Sequence, residues 1–267
     1  MTITNKPKSI DDYEIGKRLG RGKFGVVYIC KEKSTNKVYA MKVYSKLSLK
    51  EDNISYISIL METIIQKNLN HPNILKVIGY FEDTKKIYII LECAEKGDLY
   101  KKMPNLKTKD IPKIIKQIVK GFIYLHENHV IHCDFKPENL LIMADGTIKI
   151  SDFDSSIYTR FPIFKRGRGT PDYIAPEVLT KSPFDSSIDL WALGVFTFEM
   201  FHGSPLFYNP DLKMTFDAIK KFKFAYSLKS ITDKNARDFI EKLVVFDPKG
   251  RMSAKECLNH PFLMKSI

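Results

Sequence analysis

Between Tyr13 and Tyr44, apolar and polar positions alternate with the period of a half-buried strand. The runs YEIGKRLG and GVVYICKE flank a glycine-rich turn, and KVYAMKVY follows the turn residues STNK. Their β-branched and aromatic content predicts three antiparallel strands. The period changes from Asp52 to Leu69. Ile59, Glu62, Ile65 and Leu69 recur at i, i+3, i+6 and i+10, which predicts a helix that turns one carboxylate, Glu62, inward among apolar neighbours. His71-Pro72-Asn73 ends that helix, because a residue before proline is pushed out of the helical region. ILKVIGYFE and KIYIILECA predict two further strands around the turn DTKK.

After Cys93 the pattern becomes helical. EKGDLYKKM reads as one helical stretch. A longer one follows, with Ile111, Ile114, Ile115, Ile118, Val119, Phe122 and Leu125 on a single face. Pro112 falls in its first turn, where a missing N–H is tolerated. A loop, a strand, the turn Ala144-Asp145-Gly146 and another strand come next, and helices dominate from Asp185 onward. A β-rich part followed by an α-rich part predicts an α+β, two-lobed fold with its seam near Glu92 to Gly97. The longest apolar run, Ile188 to Phe201, is interrupted by Asp189 and Glu199 and is too short to cross a bilayer. It reads as a buried helix, and no membrane association is expected.

A length of 267 residues suits one such two-lobed domain, and 44% hydrophobic with 28% charged residues is ordinary for a soluble globular protein. The formal charge of +12 admits nucleic acid, a membrane surface or phosphorylated ligands. The lysines are spread along the sequence without a dense basic block, so a solvated basic surface is expected and nucleic acid is not expected as the primary ligand. The four cysteines, Cys30, Cys93, Cys133 and Cys257, form no CxxC pair or Cys/His cluster, which points to a reducing compartment. The first residues carry no apolar signal core. An intracellular, soluble protein is expected.

Three motifs carry chemistry. Gly20, Gly22 and Gly25, with Val27, form GxGxxGxV. Such a loop can be a dinucleotide fingerprint, a flap over ATP phosphates, or a plain hairpin turn. A dinucleotide site needs a strand before it and a helix after it, whereas here it lies between two strand-like runs. Lys42 alternates with apolar positions on a presumptive inner strand, and a buried lysine needs a counter-charge. Glu62 is the candidate partner; the alternative is two side chains facing water. Finally, His132-Cys133-Asp134-Phe135-Lys136-Pro137-Glu138-Asn139 gathers an acid, a lysine and an amide within a few residues. Asp134 can orient a substrate hydroxyl, Lys136 can neutralise a transferring phosphoryl group, and Asn139 with Asp152 can hold Mg²⁺.

In this order, the glycine loop, AMK, HCDFKPEN, DFD and Ala175-Pro176-Glu177 resemble the eukaryotic protein kinase signature set over about Tyr13 to Phe262. The resemblance implies a five-stranded first lobe (13–91) with one main helix, a hinge (92–97) and a helical second lobe (98–263), with 1–12 and 264–267 as extensions. It implies ATP as cofactor, with adenine between Leu19, Val27 and Ala40 on one side and Leu141 on the other. It places Glu92 and Ala94 at the hinge, Leu91 as gatekeeper, and Arg251 in a structural pair with Glu177. Lys136 and GTPDYIAPE are similar to the serine/threonine branch. DYEIGKRLGRGKFGVVY, NHPNILKVIGYFED and YIILECAEKGDLY are most similar to the Aurora kinases.

Two positions depart from that pattern. Cys133 replaces the arginine that pairs with an activation-loop phosphate, and Arg166 stands where the Aurora group has its phosphothreonine. Activity independent of that phosphate is expected; Tyr158, Thr159 and Thr170 remain as other acceptors. Asp154 replaces the glycine after Asp-Phe, at an expected strain of about 1 kcal/mol if it takes left-handed geometry. Every chemistry-bearing residue is present, so an active kinase is expected over the alternative of a pseudokinase scaffold. Glu138 and Asp98 match acids that receive arginines upstream of the acceptor, and Thr170 lies beside the substrate. The implied partners are protein substrates and an activator peptide on the first lobe. A monomeric catalytic domain working in mitosis, at spindle or chromosomes, is what the resemblance implies.

Overall fold

A computed structural model describes residues 8–22, 25–51, 56–163 and 169–264. The chain divides into two compact units. The first comprises the described residues up to Asn70 together with Leu75–Glu95; the second comprises His71–Ile74 and the residues from Lys96 onward.

The first unit is a five-stranded antiparallel sheet of β1 (Tyr13–Arg21), β2 (Gly25–Glu32), β3 (Val38–Ser45), β4 (Val77–Glu82) and β5 (Lys86–Glu92), in the order β1-β2-β3-β5-β4. The alternation of the sequence becomes a core on one sheet face: Tyr13, Cys30, Met41, Tyr88 and Ile90 are buried together. Tyr13 stacks on Phe81 and Phe81 on Tyr88, at ring separations of 5.8 and 4.9 Å. Two helices follow β3. α1 (Lys46–Glu51) was not evident in the sequence; α2 (Tyr56–Lys67) is the expected helix. Ile59, Glu62 and Leu69 are buried as expected, with Thr63 and Gln66 beside them, while Ile65 is half-buried.

The second unit contains α3 (Ile111–Glu127), whose predicted apolar face is buried throughout. Short strands β6 (Val130–Ile131), β7 (Leu140–Ile142), β8 (Ile148–Ile150) and β9 (Ile157–Tyr158) pair as β6–β9 and β7–β8. Then come α4 (Pro176–Leu179), α5 (Ser187–His202), α6 (Leu212–Lys220), α7 (Lys234–Leu243), α8 (Ala254–Leu258) and α9 (Pro261–Met264). α5 is buried from Ile188 to Glu199, including both acids that interrupt its apolar run. The turn His71–Ile74 packs here because Asn73 donates to the Ile148 carbonyl at 2.9 Å and to Gln117 Oε1 at 3.2 Å.

EKGDLYKKM is not one helix. Gly97 has φ +76, and the N–H groups of Lys96 and Leu99 donate to the carbonyls of Ile142 and Leu140 at 3.1 and 2.8 Å. Bonding to β7 removes those donors from a helical ladder, and only a 3₁₀ turn over Tyr100–Asn105 forms. All four cysteines are free thiols. Among the described residues, no helix is long and apolar enough to cross a membrane.

Candidate active site

The loop between β6 and β7 starts under strain. Cys133 has φ 66, a left-handed conformation that L-residues rarely adopt. What holds it there is Asp189, at the start of α5. Its carboxylate, 1% exposed, accepts the backbone N–H groups of His132 and Cys133, each at 3.0 Å, and lies 3.0 Å from His126 Nε2. Two otherwise orphaned donors are thereby satisfied by a charged acceptor, the stronger kind of hydrogen bond. The buried His132 ring adds a second tie: Nε2 lies 2.9 Å from the Ser151 carbonyl, so the ring proton sits on that nitrogen.

With the backbone fixed, the side chains converge. Thr170 Oγ1 donates to Asp134 Oδ1 at 2.7 Å. Lys136 Nζ donates to Thr170 Oγ1 at 2.9 Å and lies 3.1 Å from Asp134 Oδ2. Asp134, Lys136 and Thr170 therefore form a closed triangle in which the carboxylate already receives a hydroxyl proton. Asn139 Nδ2 donates to the Asp134 carbonyl at 2.8 Å, which occupies the amide nitrogen and leaves its oxygen as the ligating atom. Ser151 donates twice to the Asn139 carbonyl, from N–H at 2.8 Å and from Oγ at 2.9 Å. Those bonds bring Asn139 to the end of β8, one residue before Asp152. Among the described residues there is no cluster of three or more His, Cys, Asp or Glu side chains able to hold a metal. One carboxylate and one amide instead suit magnesium, which keeps few protein ligands and takes phosphate oxygens for the rest.

The left-handed residue of the DFD motif is Asp152, at φ 63, and not Asp154 as the sequence suggested. Phe153 is buried edge-on against His132, with ring centroids 5.1 Å apart. The strain thus falls on the candidate metal ligand rather than on the residue replacing glycine.

Below this triangle lies an acidic group that the sequence reading found only in part. Glu199, buried on α5, accepts a short hydrogen bond from the Tyr173 hydroxyl. Burial pushes the Glu199 carboxyl up to about 7, with Glu138 and Asp172 raising it further against the lowering effect of the Tyr173 bond. Asp172 is also raised, by burial and then by Glu138. The Tyr173 hydroxyl is raised by burial and by the same carboxylates. Three acids thus crowd one region at mutual electrostatic expense. Glu199 left one signal in the sequence, a carboxylate inside an apolar run. Asp98 differs: its carboxylate accepts from Lys101 N–H at 3.0 Å and from Lys101 Nζ at 2.6 Å, so its charge is already matched. The expected pair of Glu177 and Arg251 is present and bidentate, at 2.6 and 2.8 Å, with the guanidinium over the Trp191 ring. Arg166 lies outside the described residues.

In the first unit the glycine loop joins β1 to β2, two antiparallel strands, which excludes the dinucleotide reading. Gly22 N–H donates to the Gly25 carbonyl at 2.8 Å. The glycines differ in kind. A Cβ on Gly25 would meet the Val43 carbonyl at 2.9 Å, so strand packing requires glycine there. Among the described residues, such an atom on Gly20 would meet nothing within 4 Å and one on Gly22 only the Gly25 carbonyl at 3.7 Å, and neither glycine has positive φ. Among the described residues neither packing nor backbone accounts for these two, which fits close approach by a phosphate. Lys42 is half-buried on β3, in register with Val27 and Ile89, and its ammonium lies 5.4 Å from the Tyr44 ring centroid. Glu62 is buried on α2. Ala40 is buried, Val27 half-buried and Leu19 exposed on the same sheet. Glu92 ends β5, its carboxylate accepting the Lys76 N–H at 2.6 Å, with half-buried Ala94 just beyond. Leu141, half-buried on β7, belongs to the second unit.

Comparison with known proteins agrees with this layout. Residues 13–263 match the family described as "Protein kinase domain". The chain is similar to Serine/threonine-protein kinase Aurora-1 of Arabidopsis thaliana, with 38% identity over 97% of this chain and 88% of that protein. It is similar to Aurora kinase C of Mus musculus, at 37% identity over 98% and 95%. It is also similar to Aurora/IPL1-related protein kinase 2 of Caenorhabditis elegans, at 40% identity over 94% and 83%.

Proposed function

Because the chain belongs to the protein kinase family, and within it to the Aurora serine/threonine kinases, we propose that its phosphoryl transfer runs through Asp134, Lys136, Asn139 and Asp152, with Lys42 and Glu62 holding the nucleotide. The observation that carries this reading is the triangle of Asp134, Lys136 and Thr170. Asp134 Oδ1 already accepts a hydrogen bond from the Thr170 hydroxyl, and a substrate hydroxyl is a donor of the same chemistry. Lys136, hydrogen-bonded to Thr170, offsets charge on the oxygens of the transferring group. ATP supplies the γ-phosphoryl group, and magnesium the positive charge against which its oxygens are held. The Asn139 oxygen and the Asp152 carboxylate are the ligands proposed for that ion. Leu19, Gly20, Gly22, Gly25, Val27, Ala40 and Leu141 enclose the nucleotide, and the backbone of Glu92 and Ala94 takes its polar edge.

The preferred substrates are proteins with a basic residue upstream of the acceptor. Support comes from Glu138, Asp172 and Glu199, whose mutual repulsion a bound guanidinium relieves. Glu138 is retained from the sequence reading; Asp98 ranks below it because Lys101 already neutralises it. An activator peptide docks on the first unit, where Leu47, Ile57 and Met61 are exposed at 65, 66 and 53%. The same two helices contribute to an open cavity of about 470 Å³ lined by Lys46, Leu49, Lys50, Tyr56 and Glu82. Cys133 in place of arginine supports activity that needs no activation-loop phosphate. The likeness to Aurora kinases supports a role in mitosis, at spindle or chromosomes.

The deciding assay is phosphate transfer from magnesium-ATP to an arginine-containing serine peptide, wild type beside Asp134→Asn. A loss of about 10²–10⁴-fold with ATP affinity retained is expected. Equal transfer by both proteins would remove Asp134 from the chemistry, and inactivity of both would favour a scaffold.

A further inference from the structure

One stretch of the chain is rich in lysine, and folding aligns part of it on one face. Residues 96–126 hold eight lysines and two aspartates, a net +6 and half of the formal charge of the chain. One of the aspartates, Asp98, is bound to Lys101. On α3, Lys113, Lys116 and Lys120 stand at i, i+3 and i+7, within an arc of about 60°. Lys109 stands one turn earlier, in the 3₁₀ turn Thr108–Asp110 that leads into the helix. The row extends about 16 Å at 1.5 Å per residue. Lys109, Lys113 and Lys120 are exposed; Lys116 is half-buried, its ammonium 3.4 Å from the Leu263 carbonyl. The opposite side of α3 is core, so the row faces outward. Acids appear only at its ends: Asp110 before the helix, and Glu127, itself 2.8 Å from Lys255, at the last position.

A neighbouring histidine registers the same field. His71 stacks on Tyr124, one turn beyond Lys120, and its Nδ1 accepts the Asn73 N–H at 3.0 Å. Burial lowers its pKa, and Lys149 and Lys120 lower it further.

The composition of this face selects its ligand. Membrane-surface helices join a basic face to an apolar wedge, and protein interfaces have apolar centres from which lysine is depleted. Among the described residues from 96 to 127, Tyr100 is the one exposed large apolar side chain. A regular row of point charges without an apolar centre matches a regular polyanion touched through its phosphates, and duplex DNA offers one phosphate per roughly 1.7 Å of axis. We propose that the row Lys109, Lys113, Lys116 and Lys120 is an accessory docking surface for the phosphate backbone of duplex nucleic acid, without sequence preference. Lysines that reach phosphates alone read no base edges.

The test is fluorescence anisotropy of a labelled 20-base-pair duplex with the whole chain across a sodium chloride series. Four neutralised phosphates give a slope of log affinity against log salt of about −3.6. The triple variant Lys113→Ala, Lys116→Ala, Lys120→Ala should lower affinity at 50 mM salt by at least about tenfold and flatten the slope by about 3. Its kinase activity toward a short basic peptide should be unchanged. Lys220→Ala, Lys221→Ala, Lys223→Ala is the matched control. An equal loss in that control would mean diffuse attraction by the whole +12 surface and would overturn the proposal. So would absence of duplex binding at 50 mM salt, or tighter binding of phosphatidylserine vesicles or polyglutamate under the same conditions.

Discussion

The catalytic loop of the second unit and the glycine-rich turn of the first, both assigned to phosphoryl transfer in the proposed function, are built on opposite terms. The loop is over-determined. Asp189 fixes its backbone, Ser151 fixes Asn139, and Asp134, Lys136 and Thr170 bond to one another. In the turn, Gly22 bonds back to Gly25, and Gly20 and Gly22 keep a clearance that none of the described residues fills. Atoms that must meet a reacting centre within a few tenths of an ångström are locked before substrate arrives. The flap that must admit and release a nucleotide is left with space instead.

Removing the lock gives the largest expected effect on that contrast. Asp189→Asn can no longer accept both N–H groups of the strained turn as a carboxylate. Phosphate transfer should fall by about 10²-fold or more, with about 1–3 kcal/mol of stability lost, while the ATP KM changes little. A loss confined to ATP KM would show that the loop does not depend on Asp189. Next is a pH effect. Burial pushes the Glu199 carboxyl up to about 7, so on the proposed substrate reading it attracts an arginine as a carboxylate above that pH and loses the attraction below it. The KM for an arginine-containing peptide should therefore rise about tenfold between pH 8 and pH 6. Glu199→Gln should show the higher KM at both ends, and a wild-type profile in that variant would detach Glu199 from substrate.

The flap can be split by its own glycines. Gly25→Ala forces a Cβ to 2.9 Å from the Val43 carbonyl and should destabilise the first unit by about 1–3 kcal/mol, read as a lower Tm. Gly20→Ala meets no atom of the described residues within 4 Å, so Tm should hold while the ATP KM rises several-fold. An unchanged KM would return Gly20 to an ordinary hairpin position. The smallest effect is expected from phosphatase treatment: with Cys133 in place of arginine, activity should change by less than about twofold. A collapse would mean that another acceptor, Tyr158, Thr159 or Thr170, carries an activating phosphate.

The sequence was most legible where chemistry is contiguous. Asp134, Lys136, Asn139 and Asp152 lie in one short stretch, and their types and order suggest the chemistry proposed for them. The apolar face of α3 and all five strands of the first unit followed from periodicity. Glu199 and Asp172 were missed because what gives them meaning is proximity: Glu199 looked like an interruption of a buried helix until folding set it beside Glu138. Asp189 shows in the sequence only as a charge interrupting an apolar run, since nothing local reveals that its carboxylate reaches back to the backbone of Cys133. EKGDLYKKM misled because its N–H groups bond to β7, a partner that helical propensity does not register. Backbone geometry was equally hidden, with the left-handed φ on Asp152 rather than Asp154.

The paired left-handed residues, Cys133 at φ 66 and Asp152 at φ 63, have a consequence for anyone engineering this protein. Each conformation stores on the order of 1–2 kcal/mol, and at Cys133 the Asp189 carboxylate of α5 keeps it from relaxing. A screen for thermal tolerance will therefore find gains at these two positions, by letting the backbone fall back to ordinary geometry. Such gains should come with slower turnover, because the stored strain is what points Asp134 and Asp152. Stability and readiness draw on the same two torsions here, and a variant library ranked by melting temperature alone would select against the catalyst.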